Sequence, residues 1–344
     1  MRLLVCAAFA FSIFAQRPVT TIQNAIARVE MDRAGGSIVR FEFKANALNP
    51  LVWSNKGEGV EPRPMSHFLC LDRWGQPSSA ELKNGMPFHG EATHVMWKDE
   101  NSSADVARLS AELPMAGLGV MRIARIVPGA ALLQVEESVT NRNKLGRPYN
   151  MVQHPTIGPP FLDATVVVDS NARRGFMQSS PMPNPDEPQV WWPQALKDGQ
   201  PVDLRHLSSD PNPNVVSFAV DEEVGWVTAV NASKGLLLGY LWKTSDYPWL
   251  NIWRHVDDQG KPLARGLEFG TTGLHQPFQV LLKKGPIFNR PIVSWIEPGE
   301  THKRTYAAFL LRVPADFKGV ANVSHKDGPI EVKERGGNRT LLVR

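Results

Sequence analysis

Along most of this chain, apolar and polar residues alternate in short runs that end on glycine or proline. Ala25-Ile26-Ala27-Arg28-Val29-Glu30-Met31 alternates, Asp32-Arg33-Ala34-Gly35-Gly36 turns, and Ser37-Ile38-Val39-Arg40-Phe41-Glu42-Phe43 alternates again. Successive side chains of a β-strand point to opposite faces, so this stretch reads as a hairpin with one wet and one dry face. The pattern recurs. Residues 120–127 and 132–139 flank Pro128-Gly129-Ala130 as a second hairpin. Residues 215–220, 225–230 and 236–242 read as a meander. Residues 292–296 and 304–313 flank Glu297-Pro298-Gly299-Glu300 as a further hairpin. Helical spacing is scarce, while the chain carries 27 glycines and 28 prolines. That combination predicts an all-β sandwich or barrel, and 344 residues demand large sheets.

Residues 1–15 hold one early arginine, a short apolar run and a small residue, Ala15, before polar sequence begins. They read as a secretion signal peptide cleaved near Ala15, too short to anchor in a bilayer. The mature chain is expected to be exported, periplasmic or extracellular, and free of the membrane. Beyond that leader Cys70 is the only cysteine, so no internal disulfide and no cysteine-based zinc site can form. In Phe68-Leu69-Cys70-Leu71 it reads as a small buried apolar residue. The net charge of +4 is spread thinly, with Lys283-Lys284 and Lys303-Arg304 only short pairs. The concentrated basic footprint of a nucleic-acid binder is absent. Ten tryptophans stand against four tyrosines. An indole offers a flat apolar face and one N–H, which suits core packing and stacking on sugar rings. Residues 176–210, rich in Pro, Ser and Asp, read as a long loop carrying Trp191-Trp192-Pro193. That pair either rims a ligand cleft or pins the loop to a sheet. The main domain spans 22–320, and the tail, 321–344, holds Ile330-Glu331-Val332 and Thr340-Leu341-Leu342-Val343, a terminal hairpin.

Three segments carry candidate chemistry. His154 lies between the apolar Met151-Val152 and the turn Gly158-Pro159-Pro160, and His89 lies in Pro87-Phe88-His89-Gly90-Glu91. Imidazole exchanges protons near neutral pH. Glu268 is an isolated carboxylate in Gly266-Leu267-Glu268-Phe269-Gly270. Together they suggest a proton-transfer site assembled on a β scaffold. Against this, His154 could be a turn histidine bonded to backbone, and Glu268 a solvated strand residue. His89, Glu91 and His94 invite a metal reading, but in a strand His94 would point away from the other two, so no metal is assigned. His275 follows Glu268 closely and could line the same cleft.

In the order of these motifs the chain resembles the galactose mutarotase-like (aldose 1-epimerase) superfamily. The resemblance runs from about Ile22 to Val313 through Gly35-Gly36, His89-Gly90 with Trp97, Val139-Thr140-Asn141, His154-Pro155, Leu267-Glu268 and Pro298-Gly299. It implies a large antiparallel β-supersandwich that needs no cofactor and acts on a monosaccharide or glycan. It makes Glu268 the general base on the anomeric hydroxyl and His154 the general acid on the ring oxygen, so that the ring opens, rotates and recloses. It makes His89 a sugar ligand and places Arg73 near a sugar-binding arginine. The pair implies a bell-shaped pH profile, with the carboxylate on the acidic limb and the imidazole on the alkaline limb. Departures are visible: the double-arginine motif is missing, Glu91 stands where a second glycine is usual, and Asp246 and Asn251 are only candidates for a second polar ligand. Two other classes stay open, a sugar-binding sandwich without turnover and, ranked last, a polysaccharide lyase or hydrolase. The oligomeric state leaves no mark on the sequence.

Overall fold

The structure, a computed structural model, describes residues 16–178, 187–325 and 328–343. The leader expected over residues 1–15 lies outside them. The fold is all-β and antiparallel, with two large sheets stacked face to face. The first has eleven strands. In spatial order they run Val19–Gln23, Ala27–Asp32, Ser37–Phe43, His67–Asp72, Arg147–Ile157, Pro262–Gly270, Trp249–Val256, Val215–Ala219, Arg174–Met177 and Val190–Trp191. Ser294–Ile296 joins as a short partner of Arg147–Ile157. The second sheet has eight strands: Val167–Ser170, Val224–Asn231, Leu236–Lys243, Thr301–Arg312, Leu132–Asn141, Leu118–Ile126, Val106–Leu113 and Lys98–Asp99.

Alternation explains the stacking. From the first sheet Leu69, Leu71, Leu250, Ile252, Leu267 and Phe269 turn inward, and from the second Leu109, Leu133, Val135, Leu238 and Leu310 meet them in one core. A polar knot is embedded there. Arg122 and Glu137 form a fully buried ion pair at 2.6 Å. The Gln153 amide donates to Glu137 at 2.5 Å, and its carbonyl faces His67 Nε2 at 3.2 Å. Burial, with Arg122 nearby, holds His67 down to about 3, so it is neutral.

The outer faces are covered unequally. Residues Val320–Ser324, Glu331–Glu334 and Thr340–Leu342 form a three-stranded sheet, and Val320, Val323 and Val332 pack on Trp226, Leu237 and Phe309 behind the eight-stranded sheet. On the other side, helix Phe278–Lys284 and the segment after it cover Phe176 and Trp249. The middle of that outer face remains for a cleft.

The first two expected hairpins are present, as Ala27–Asp32 with Ser37–Phe43 and Leu118–Ile126 with Leu132–Asn141. The expected meander splits. Val224–Asn231 pairs with Leu236–Lys243 in the second sheet, whereas Val215–Ala219 pairs with Trp249–Val256 in the first. The acidic turn Asp221-Glu222-Glu223 therefore carries the chain between sheets. The Pro298-Gly299 turn does the same. Ser294–Ile296 pairs with Arg147–Ile157 and Thr301–Arg312 pairs with Leu132–Asn141, so the two flanking runs do not form a hairpin. The expected long loop at 176–210 holds ordered structure: Val190–Trp191 adds to the first sheet, and Gln194–Lys197 pairs with Gln200–Asp203. Its residues 179–186 lie outside the described ones. Among the described residues no helix is long and apolar enough to cross a membrane.

Candidate active site

The floor of the cleft is the outward side of three neighbouring strands. In Arg147–Ile157 alternation sends Gln153 into the core and His154 outward. In Pro262–Gly270 it sends Leu267 and Phe269 inward and Glu268 outward, between Gly266 and Gly270. The two strands pair with Phe269 opposite Gln153 and Gly266 opposite Thr156, a register that sets Glu268 opposite His154. Directly opposed side chains on one face are in contact range. His154 Nε2 lies 3.1 Å from Glu268 Oε1. Gly266 is needed beside them, because a Cβ there would stand 2.9 Å from Glu268 Oε1 and 3.0 Å from the Trp253 Cβ. On the other flank, His67–Asp72 places Phe68 opposite His154, and the two rings stack with centroids 4.1 Å apart.

The roof comes from the segment after His67–Asp72. Trp74 Nε1 donates to Glu268 Oε2 at 2.7 Å. The Gly75 amide donates to His89 Nδ1 at 3.0 Å, which leaves the proton of that neutral ring on Nε2. His89 has φ +67°, and Gly90 beside it has φ +80°. A Cβ at Gly90 would stand 1.9 Å from the Leu71 carbonyl oxygen, so only glycine lets the roof lie this close to the strand. His275 closes the side, edge-on to Trp74 at 4.7 Å between centroids. Trp53, Trp253 and Phe88 complete an aromatic wall, with Asn55, Asn214 and His94 as further polar groups, around a cleft of about 370 Å³.

Burial dominates the charge state. It pushes the Glu268 carboxyl well above the ordinary carboxylate range, while the Trp74 N–H pulls the other way. It lowers His154 to about 3 and His275 to about 4. Burial, aided by His154 and His275, lowers His89 well below its usual value. The Thr156 hydroxyl donates to the His154 carbonyl at 3.4 Å, so it accepts from His154 Nδ1–H at 2.9 Å. One proton then remains between Nε2 and Oε1. Burial favours the uncharged arrangement, in which the carboxyl holds that proton and Nε2 accepts it. The order of the two groups is thus the reverse of free carboxylate and imidazole.

Of the residues singled out in the sequence, His154, Glu268, His89 and His275 line one cleft. Arg73, Trp191 and Trp192 do not. Arg73 is buried, bonded to Asp72 and Glu81, and stacked over Phe278 at 5.4 Å. Its charge is thereby spent inside the protein. Trp191 is exposed at the far edge of the eleven-stranded sheet, and Trp192 packs edge-on to Phe218 at 5.4 Å. Asn251 is opposite Glu268 on the next strand and donates to the Thr272 carbonyl at 3.3 Å, whereas the Asp246 carboxylate accepts from the Thr305 amide at 3.2 Å. Glu91 accepts the Met115 and Ala116 amides, which turns it away from His89 and His94. Among the described residues no three His, Cys, Asp or Glu gather as metal ligands. Cys70 is on the same outward face as Phe68, buried under the roof with Trp74 and Val152. Sequence reasoning missed Trp53, Phe68, Trp74, Phe88, Asn55, Asn214 and Trp253. For Phe68 and Trp253 the signal was present, since each is an outward aromatic on a strand that also carries core residues.

The fold is that of galactose mutarotase-like proteins. The chain is similar to a galactose mutarotase related enzyme from Lactobacillus acidophilus, with 13% identity, 86% of this chain and 98% of that one covered, and a TM-score of 0.62. It is similar to a galactose mutarotase-like protein from Lactobacillus casei, with 15% identity, 86% and 100% covered, and a TM-score of 0.61. A third, from Clostridium acetobutylicum and likewise described as galactose mutarotase-like, shares 14% identity, with 88% and 97% covered and a TM-score of 0.60. At these identities the likeness is one of fold. No family model and no curated protein sequence matches the chain.

Proposed function

We propose that this protein interconverts the anomers of a free, uncharged sugar, as an aldose 1-epimerase does. The observation that carries the reading is the His154–Glu268 pair, sharing one proton at the floor of an aromatic cleft. A hemiacetal carries its hydroxyl and its ring oxygen on the same carbon. Two side chains in mutual contact can address both atoms at once. Ring opening takes a proton from the hydroxyl and returns one to the ring oxygen, so the pair ends with as many protons as it began. Glu268 acts as base and His154 as acid once the shared proton has moved to Nε2, a state the Trp74 N–H favours by bonding the carboxylate. Reclosure runs the same transfers backward. Neutral His89 and His275 offer hydrogen bonds without a fixed charge, and the indoles of Trp53 and Trp253 supply apolar faces for a sugar ring. We also propose export, on the apolar, small-residue pattern of residues 1–15 alone.

NMR exchange spectroscopy on a panel of free aldoses tests this. Wild-type protein should accelerate anomer exchange, and Glu268→Gln and His154→Ala should each slow it by roughly 100- to 10,000-fold. Saccharide binding by calorimetry with no exchange would identify a binding protein instead and defeat the proposal.

A further inference from the structure

Outside the cleft the most unusual charges are two arginines that face each other. Arg254 and Arg265 are direct cross-strand partners in Trp249–Val256 and Pro262–Gly270. By alternation both sit on the inner face of the sheet, alongside Ile252 and Leu267. They are 1% and 0% exposed. Like charges directly opposed on a sheet repel, and a guanidinium does not give up its proton in a protein.

The surroundings do not neutralise them. Arg254 Nη2 donates to the Pro213 carbonyl at 3.0 Å. Arg265 Nη1 donates to the Arg205 carbonyl at 3.2 Å, and Nη2 to that of Leu204. These acceptors are uncharged. Nε and Nη1 of Arg254 and Nε of Arg265 are buried with no partner at all. The carboxylates whose charge reaches the pair are Asp203, Asp169 and Asp210. Asp169 is bonded to Arg205 and Arg335, and Asp210 to Lys197. Asp203 is half exposed, beside His206. So Asp169 is already bonded by two guanidiniums, those of Arg205 and Arg335, and has no bond to spare for Arg265 or Arg254.

We propose that Arg254 and Arg265 form a binding site for a small inorganic anion of the halide class, held by the free N–H groups of both side chains. One negative charge between them turns a repulsion into two charge-assisted hydrogen-bonding interactions. The carbonyls of Leu204, Arg205 and Pro213 already occupy one terminal nitrogen of Arg254 and both of Arg265, and the few donors left free favour a single small ion over a larger oxyanion. Burial, with mutual repulsion acting on Arg265, lowers Arg254 to about 10 and Arg265 to about 9, the direction an anion would reverse. The backbone that carries those carbonyls leads directly to Asn214 and Val215 of the cleft wall, and the Arg254 amide donates to the Asn214 carbonyl at 2.9 Å. Anion occupancy would therefore also fix that wall.

The test uses the whole protein and does not depend on sugar turnover. Protein dialysed into sodium gluconate is melted while bromide replaces gluconate at constant ionic strength. The melting temperature should rise with bromide, by roughly 2 °C per tenfold once its concentration exceeds the dissociation constant. Arg254→Gln should abolish that response. Crystals soaked in bromide should show an anomalous peak between the two guanidiniums. Equal melting in bromide and gluconate, or a bromide soak without that peak, overturns the proposal even if the variant fails to fold. A phosphate response without a bromide response also overturns it, because the site would then be of another class.

Discussion

Trp74→Phe isolates the one hydrogen bond that favours a charged Glu268. The indole N–H donates to Oε2 at 2.7 Å, and the ring is 2% exposed. Phenylalanine keeps an aromatic ring in the roof and removes only the donor and one ring of the bicycle. A hydrogen bond to a charged group contributes about 1.5–3 kcal/mol. Since 1.36 kcal/mol is tenfold in rate, kcat for anomer exchange should fall roughly 10- to 150-fold. The pH profile separates this from mere loosening of the roof. The pair works while it holds one proton, so its alkaline limb reports loss of the Glu268 proton and its acidic limb a second proton on His154. Burial already raises Glu268 and the Trp74 N–H opposes that rise. Without the N–H the alkaline limb should move to higher pH. The assay is exchange NMR of a free aldose across pH, with melting curves as the control for folding. An unchanged kcat, or an alkaline limb that stays put or moves down, would refute the assignment of Trp74 and the proton count of the pair.

Three further outcomes rest on the same geometry. Arg73→Ala should destabilise the fold by about 1.5–3 kcal/mol in urea titrations, because Asp72 loses one of its two guanidinium partners and keeps Arg147, yet leave KM for the sugar unchanged. A raised KM with normal stability would return Arg73 to the sugar site. Gly75→Ala should raise KM more than it lowers kcat, since φ is +101° there and a Cβ would stand 2.7 Å from His275 Nε2. Equal kinetics would show that His275 does not touch the sugar. His67 has a folded pKa of about 3 against an ordinary 6.5, so the stability tied to its neutral form is complete above pH 6.5 and is lost as pH falls toward 3. His67→Gln should therefore flatten the decline of melting temperature across that window, and parallel wild-type and variant curves would refute the reading.

The hairpins at residues 27–43 and 118–141 are legible in the sequence because each strand pairs with its neighbour along the chain. The meander and the last hairpin are not, for the opposite reason. A Pro-Gly or acidic turn looks the same whether it reverses within a sheet or crosses to the other one, and the deciding partners are distant. Order along the chain points to Arg73 rather than Trp74, because it does not register a change in backbone direction. Asp72 has φ +85°, which ends the strand and rotates the next residues, so Arg73 turns in toward Asp72 and Glu81 and Trp74 reaches Glu268.

Glu268 can be found in the sequence, but its chemistry cannot. A carboxylate flanked in alternation by Gly266 and Gly270 reads as the wet side of a strand, and on the sheet alone it would be one. Its burial comes from elsewhere: Trp74 from the roof, His154 and Phe68 from strands far away in sequence, and Trp253 from the adjacent strand. The glycines keep the floor low, since a Cβ at Gly270 would stand 2.4 Å from Val152 Cγ2. The sandwich core therefore fixes only the direction in which the carboxyl points. The roof segment, held by the Gly75 and Gly90 turns, determines whether that carboxyl is an ordinary surface acid or one that keeps its proton and shares it with an imidazole. A chain with the same strands and a different segment after Asp72 would keep the fold and the register that sets Glu268 opposite His154, but would leave the carboxyl open to water as an ordinary strand acid.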